Sequence, residues 1–459
     1  MKASEKIKPI SSSFRDPSGT VFYQDGLIYR TVNFEYKEFY DHLINSGLYD
    51  QLVKLKYLIP HQEIKTIKKD KDIYKIIKPQ KIPFISYPYE WTFSQLKDAA
   101  LLTLAIQKLS LKHGMSLKDG SGFNIQFVDG KPILIDTLSF EKYQKDKPWK
   151  AYGQFCRHFL SPLALMVYQD ATLGRLLRLY LDGIPLEIAS KLLPPSSYLN
   201  LSILVHIHLH ARSSRYYADK PESGKQAKLS KVTLAGIIEN LNSAINNLKW
   251  KLKKTEWLDY YHFSNYSSSA FEHKERIFKH FLKIAKVKNM WDMGANTGHF
   301  SKIAESFGIR TIAFESDIAA IEQLYLDCKN ANRKLILPLF VDITNPSPSI
   351  GWESKERLSM IDRGYTSLVS ALALIHHLSI GQNIPFENLA NFFQKICRWL
   401  IIEFIPKEDS QIKKMLINRR DIFTLYTQTN FEKVFSEQFI LCKKTKIKDS
   451  LRVMYLFKQ

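Results

Sequence analysis

Residues 290–300, MWDMGANTGHF, set Asp292, Gly294, Asn296 and Gly298 within a single short segment. An apolar run ends at the acid, a glycine turn follows, and an amphipathic helix is predicted to begin. Glycine lets a backbone approach a ligand closely, and the first turn of a helix offers unpaired N–H groups. The next apolar run, TIAF, ends in Glu315, about 20 residues past the first glycine, where an acid is placed to hold a ribose diol. The chemistry implied is capture of a nucleoside beneath a reversing chain. The spacing is D-x-G-x-x-x-G, not the G-x-G-x-x-G of dinucleotide enzymes.

The elements that must position these residues are legible on either side. From about 255 onward, strand and helix patterns alternate: VKNMWDM, HFSKIAESFG, IRTIAFE, SDIAAIEQLYLDCKNAN, LILPLFVDI, TSLVSALALIH, ENLANFFQKICR and WLIIEFIP. DSQIKKMLINRRDIF reads as helical, and the last residues offer two strands around a turn. This alternation predicts βαβ units in a doubly wound sheet, with ligands at the carboxyl ends of its strands. Upstream, GTVFYQDGLIYRTV has the alternation of a hairpin turning at Asp25-Gly26. A helix over EYKEFYDHLINSGLYDQLVKL, apolar strands near YKIIKPQKIPFISYP, and a helix over FSQLKDAALLTLAIQKLSLKHG are then expected. Residues 151–211 read as mostly helical. The polar stretch 212–232 is the predicted linker, and the helix after it is expected to pack on the C-terminal domain. The domains are thus 1–211, a linker at 212–232, and 233–459.

Composition narrows the class. A 459-residue chain is too long for one ordinary core. No apolar run approaches the ~20 residues that a membrane span needs. MKASEKIKPISSSF lacks the apolar centre of a secretory leader, and the four cysteines are scattered with no C-x-x-C pair. Reduced thiols, a cytoplasmic location and no metal are therefore expected. The net charge of +21 leaves a nucleic-acid partner open, but the lysines are spread along the chain, as on a solvated surface. NPSP (345–348) lacks a stacking aromatic at its fourth position, and its prolines suit a surface turn. His206, His208 and His210 alternate in VHIHLH, yet a helix at that spacing would scatter them.

The glycine turn resembles motif I of class I S-adenosylmethionine (SAM) methyltransferases, which implies a Rossmann-like domain with SAM as cofactor. On that resemblance Asp292, Gly294, Asn296, Gly298 and Glu315 bind the cofactor. Asp342 in FVDI falls where the family sets a side chain against the adenine amino group; a turn cap is the alternative. ALIHHL resembles the L-H-H-L of many small-molecule methyltransferases, so His376 or His377 would border the acceptor pocket. Glu403, ending LIIEFIP, would face the pocket or serve as a structural hydrogen-bond partner.

LKDGSGFNIQFVDGKPILID sets Asp119 five residues before Asn124, with Asp136 after a hairpin at Asp129-Gly130. It resembles the catalytic loop and metal-binding acid of kinases, in which the first acid positions a hydroxyl while Asn and the second acid hold magnesium. Lys118 stands where those enzymes have Arg, Thr137-Leu138 replaces Phe-Gly, and no glycine-rich loop precedes it. Arg30 on the hairpin is the nearby cation. An N-terminal α+β domain resembling a degenerate kinase fold is expected, serving to bind substrate or as a scaffold.

Taken together, SGLYDQL, YPYEWTFSQLKDAALLTL, LKDGSGFNIQF, ILIDTLSFE, WDMGANTGHFS and ALALIHHL resemble a family of bacterial class I SAM-dependent methyltransferases, the NoeA-like nodulation proteins. The resemblance runs from about residue 14 to the C-terminus. It implies methyl transfer, with a small molecule, glycan or lipid-linked intermediate favoured as acceptor. An RNA or protein methyltransferase docking through its basic surface, or a non-catalytic SAM sensor, are the rival expectations. The oligomeric state is not legible.

Overall fold

The computed structural model describes residues 9–64, 71–217, 229–252, 255, 266–417 and 419–459. Two compact units emerge: Met1–Lys251 with Ser349–Arg357, and Leu252–Pro348 with Leu358–Gln459.

The first unit opens with the expected hairpin, β1 (Val21–Gln24) and β2 (Leu27–Asn33). Asp25 and Gly26 both take positive φ, 51° and 72°, the turn that matches strand twist in a two-residue loop. With β3 (His61–Ile64) and β4 (Ile73–Pro79) they form an antiparallel sheet in the order β1-β2-β4-β3. The helix expected over residues 35–55 is two, Lys37–Asn45 and Leu48–Lys54. Gly47 between them takes φ 77° and breaks the ladder. Only β4 forms in YKIIKPQKIPFISYP. Helix Phe93–Lys112 starts from a Thr92–Gln95 capping box and buries residues all round. Beyond it, β5 (Met115–Leu117) pairs with β8 (Phe140–Lys142), and β6 (Ile125–Val128) with β7 (Lys131–Leu134) through the Asp129-Gly130 turn. Helical segments run from Tyr152 to Tyr217, past the helical stretch expected over 151–211.

Two boundaries differ from expectation. Helix Lys231–Asn247 packs on Phe93–Lys112, burying Leu234, Ile238, Leu241 and Ile245. Lys97 also donates to Asn246 O and Leu248 O, at 2.8 and 2.7 Å. The helix therefore belongs to the first unit, which ends at Lys251, not within 212–232. Of that predicted linker, 212–217 continue a helix and 218–228 lie outside the described residues. Ser349–Arg357, just after NPSP, also joins the first unit. There Glu356, 3% exposed, pairs with Arg15 at 2.9 Å, and the Arg357 guanidinium lies 4.5 Å from the Phe123 ring centroid.

The second unit is the expected doubly wound sheet. Its strands are β9 (Asn289–Met293), β10 (Arg310–Glu315), β11 (Ile336–Phe340), β12 (Thr366–Ala371), β13 (Cys397–Phe404), β14 (Ile440–Lys446) and β15 (Val453–Lys458). They lie in the order β11-β10-β9-β12-β13-β15-β14. The first five are parallel, and β15 runs antiparallel between β13 and β14. The central strands are nearly continuous apolar runs because helices cover both faces. Strand order reverses between β9 and β12, which opens a crevice at their carboxyl ends. Two helices were not anticipated, Ser268–Ala285 and Gln428–Gln438, while DSQIKKMLINRRDIF is helical only over Ser410–Leu416. Among the described residues no helix is long and apolar enough to cross a membrane.

Candidate functional site

The turn after β9 is held from inside. Gly294 N and Ala295 N both donate to Phe314 O at 3.0 Å, tying the loop to β10. Gly294 takes φ 73°, and a Cβ there would meet Leu374 Cδ1 at 3.3 Å across the crevice. Glu315 Oε2 accepts the N–H of Asn296 at 2.8 Å, while Oε1 accepts those of Ser316 and Asp317 at 2.6 and 2.8 Å. Burial raises the Glu315 carboxyl above its ordinary value, with the three N–H donors opposing it. Asp292 accepts a hydrogen bond from the Ser301 hydroxyl at 2.6 Å, and burial pushes its pKa up to about 6. Among the described residues neither carboxylate is in an ion pair with a side chain; their partners are N–H and O–H groups.

These groups line one cavity of about 290 Å³. Asp292, Gly294, Asn296, Glu315, Asp342 and His377 face it, with Phe300, Phe314, Leu372 and Leu374 as apolar walls. Asp342 lines the cavity, and its Oδ1 accepts Thr344 N at 2.9 Å in a local turn. Gly298 is placed differently from expectation. It lies outside the lining, and a Cβ there would fall 2.4 Å from Leu324 Cδ1. With φ 76° it starts the next helix and admits Leu324 into the core.

The three residues expected to carry chemistry separate. His377 lines the cavity, and burial holds its imidazole down to about 4. His376 is 3% exposed and sits behind it, ring centroids 4.0 Å apart, with Nδ1 lacking a hydrogen bond. Burial, then His377, keep it well below the ordinary value. Glu403 does not face the cavity. It is fully buried and accepts from Lys274 Nζ at 2.7 Å, Ala373 N at 2.8 Å and the Tyr266 hydroxyl. Burial opposes its charge, but Lys274 and Arg452 outweigh this and hold its carboxyl below the usual range. Arg452 in turn pairs with Asp409 at 2.7 Å. Glu403 is thus a strut: two cations claim it before any ligand can.

Lys274 and Tyr266, which line the cavity, were not anticipated. Lys274 is one turn from Ala270 and Ile277 on the buried face of helix Ser268–Ala285. A lysine within an apolar helical stripe was the available signal.

The kinase-like residues also come together, but with a cation among them. Asp119 Oδ1 accepts Ser121 N and Gln154 Nε2, both at 2.9 Å, and burial raises its pKa. Asn124 Nδ2 donates to Ser139 Oγ at 3.4 Å. Asp136 accepts Leu138 N and Ser139 Oγ at 2.8 Å, and Arg30 Nη1 pairs with it at 2.6 Å. Arg30 also pairs with Asp16 at 2.9 Å. His206 bonds to Tyr152 and Asn240, and His208 to Ser190 and Ser197, so these two imidazoles have separate partners. Among the described residues no group of His, Cys, Asp or Glu is arranged to hold a metal ion.

No family model matches the chain. The nodulation protein NoeA of Rhizobium meliloti (strain 1021) is 32% identical over 465 residues, an alignment covering 98% of this chain and 96% of that one. The chain belongs to the NoeA family. Solved structures similar to this NoeA-family chain include the N-methyltransferase NodS of Bradyrhizobium japonicum WM9, at 12% identity and TM-score 0.31 over 42% of this chain and 98% of that one. Another is the bifunctional kinase-methyltransferase WbdD, at 13% identity and TM-score 0.31 over 47% of this chain. That match spans less than half of WbdD, 45%. Likeness this low bears on neither substrate nor activity.

Proposed function

We propose that this chain is a SAM-dependent methyltransferase of the class I fold, acting on a small molecule, glycan or lipid-linked acceptor. The observation that carries the proposal is the convergence of Gly294, Glu315 and Asp342 on one cavity at the strand-order switch of a parallel sheet. The residues fit the cofactor. A Cβ at Gly294 would crowd Leu374 across the crevice, so glycine there suits a ligand lying against backbone, and Glu315 Oε2, which accepts only the Asn296 N–H, keeps a lone pair for a ribose hydroxyl. In this reading Glu315 holds the ribose, Asp342 borders the adenine, and Asp292 takes the ammonium of the amino-acid end, with Asn296 beside them.

SAM supplies a methyl group made electrophilic by its sulfonium. The chain's own part is proximity and in-line orientation. Phe300, Leu372 and Leu374 exclude water from the cavity, and His377 walls it. At about 4 the His377 imidazole is a weak base, so it is assigned to packing against the acceptor and not to proton removal.

The first unit is read as a degenerate kinase-like scaffold of the cytoplasmic enzyme. Arg30 supports this: its guanidinium sits on the acid that would hold magnesium, so Asp136 is already neutralised. Calorimetry with SAM and its demethylated product, and label transfer from methyl-labelled SAM to cell extract, test the proposal. Tight binding and transfer are expected, both lost in Gly294→Arg. Binding of neither compound by the wild-type chain overturns it.

A further inference from the structure

The second unit carries an apolar and basic rim beside the cavity. Helix Ser410–Leu416 leads into a loop that returns to the core at Tyr426, whose hydroxyl donates to Ile405 O at 2.9 Å. Arg419 anchors the loop by donating to Ile380 O at 2.5 Å and to Asn383 Oδ1 at 2.6 Å. Gln382, between those two partners, lines the cavity, so the loop lies at its edge.

On this anchored loop Ile417, Ile422 and Leu425 are 73%, 59% and 68% exposed. Three apolar side chains this exposed on one short loop make it a candidate interaction surface. Beside them Lys413, Lys414 and Arg420 are exposed, and among the described residues none of the three is in an ion pair. Of the nearby acids, Asp421 pairs with Lys407 at 2.8 Å and Asp409 with Arg452, and exposed Glu408 offsets only one of the three cations. Unpaired cations around protruding aliphatics fit an anionic lipid surface, where headgroups meet the cations and acyl chains meet the aliphatics. A nucleic acid would call for exposed aromatic faces, but Phe423 is only part-exposed and lies 5.2 Å from the Arg419 guanidinium.

We infer that this rim docks the chain peripherally on an anionic bilayer, so that the acceptor reaches the cavity from the membrane surface. The inference rests on the methyltransferase reading for its meaning and deepens it: the acceptor class becomes lipid-anchored. Lipid docking places the cavity mouth against the interface, where an acceptor's polar head can enter while its tail stays in the bilayer.

The test is cosedimentation of the full chain with phosphatidylcholine vesicles, with and without phosphatidylglycerol. Binding to the anionic vesicles is expected, with little to phosphatidylcholine alone. In Ile417→Asp/Ile422→Asp/Leu425→Asp it should fall by about tenfold or more, since each aspartate both removes apolar burial and repels the surface. Lys413→Glu/Lys414→Glu should fall similarly, as a second variant should the first misfold. SAM affinity measured on the same samples reports folding and separates the two ideas. If cofactor binds and vesicles do not, docking is wrong and the methyltransferase proposal stands. Vesicle binding unchanged in both variants also overturns it, by assigning the attraction to overall charge. Concentration-dependent dimerisation abolished by the triple variant, without vesicle binding, would give the rim to a second copy of the chain and overturn it equally.

Discussion

The two acid-bearing turns of this chain, one in each unit, have been filled differently. At the ends of β9 and β10, Asp292 and Glu315 are satisfied by hydroxyl and N–H donors and face a cavity. After β7, Asp136 meets a guanidinium from β2 at 2.6 Å. Neutral donors hold a carboxylate in place while leaving its charge for a ligand. A paired arginine supplies the counter-charge itself, and a metal would have to displace it. The same residue type at the end of a strand is therefore an open site in one unit and a closed one in the other.

The largest expected effect breaks the open site. Gly294→Arg should weaken SAM binding by about a thousandfold or more by calorimetry, because a long side chain on the cavity wall competes with the ligand and its positive φ strains any side chain. Undiminished affinity would move the site elsewhere.

Charge in the open turn should appear in the pH dependence of stability. Asp292 has a folded pKa of about 6 against an ordinary 3.8, so the folded state binds more protons between these values. Stability therefore falls as pH rises through that window, by up to about 3 kcal/mol. Asp292→Asn should remove the fall, and identical pH profiles for the two proteins would contradict it.

The strut beneath the cavity comes next. Lys274→Met leaves Glu403 buried with one fewer cation and should cost about 3 kcal/mol in denaturant unfolding. Lys407→Met, at the exposed Asp421 pair, should cost under about 1 kcal/mol. Equal losses would mean that burial does not set the worth of these pairs.

In the closed site, Arg30→Leu should cost about 2 kcal/mol by stranding Asp136. Wild-type protein should show no thermal shift with magnesium and ATP; a clear shift would make the two turns alike and end the contrast. At the open site, Glu315→Gln is expected to lose about tenfold in SAM affinity, about 1.4 kcal/mol. It keeps one carbonyl acceptor but loses the charge, so a larger loss accompanied by unfolding would assign Glu315 to the turn alone.

What could be read in advance was local. Asp292, Gly294 and Glu315 were legible because strand ends and glycine turns are fixed by neighbours in sequence. Gly298 was legible as a glycine but not in its purpose, because Leu324 reaches it from helix Ile318–Asn330, beyond β10. Glu403 was left open between pocket and strut, since Lys274 and Arg452 arrive from distant elements. Helix Lys231–Asn247 showed its apolar stripe plainly, yet nothing local said which partner that stripe would cover.

By itself the sequence determined the periodicities, the turns and the order of elements, because backbone sterics and amphipathic spacing act over a few residues. Tertiary structure decided which acids keep their charge available. That depends on whether a distant cation, such as Arg30 or Lys274, is carried to them, and Coulomb attraction in a buried setting acts on distance in space and not along the chain.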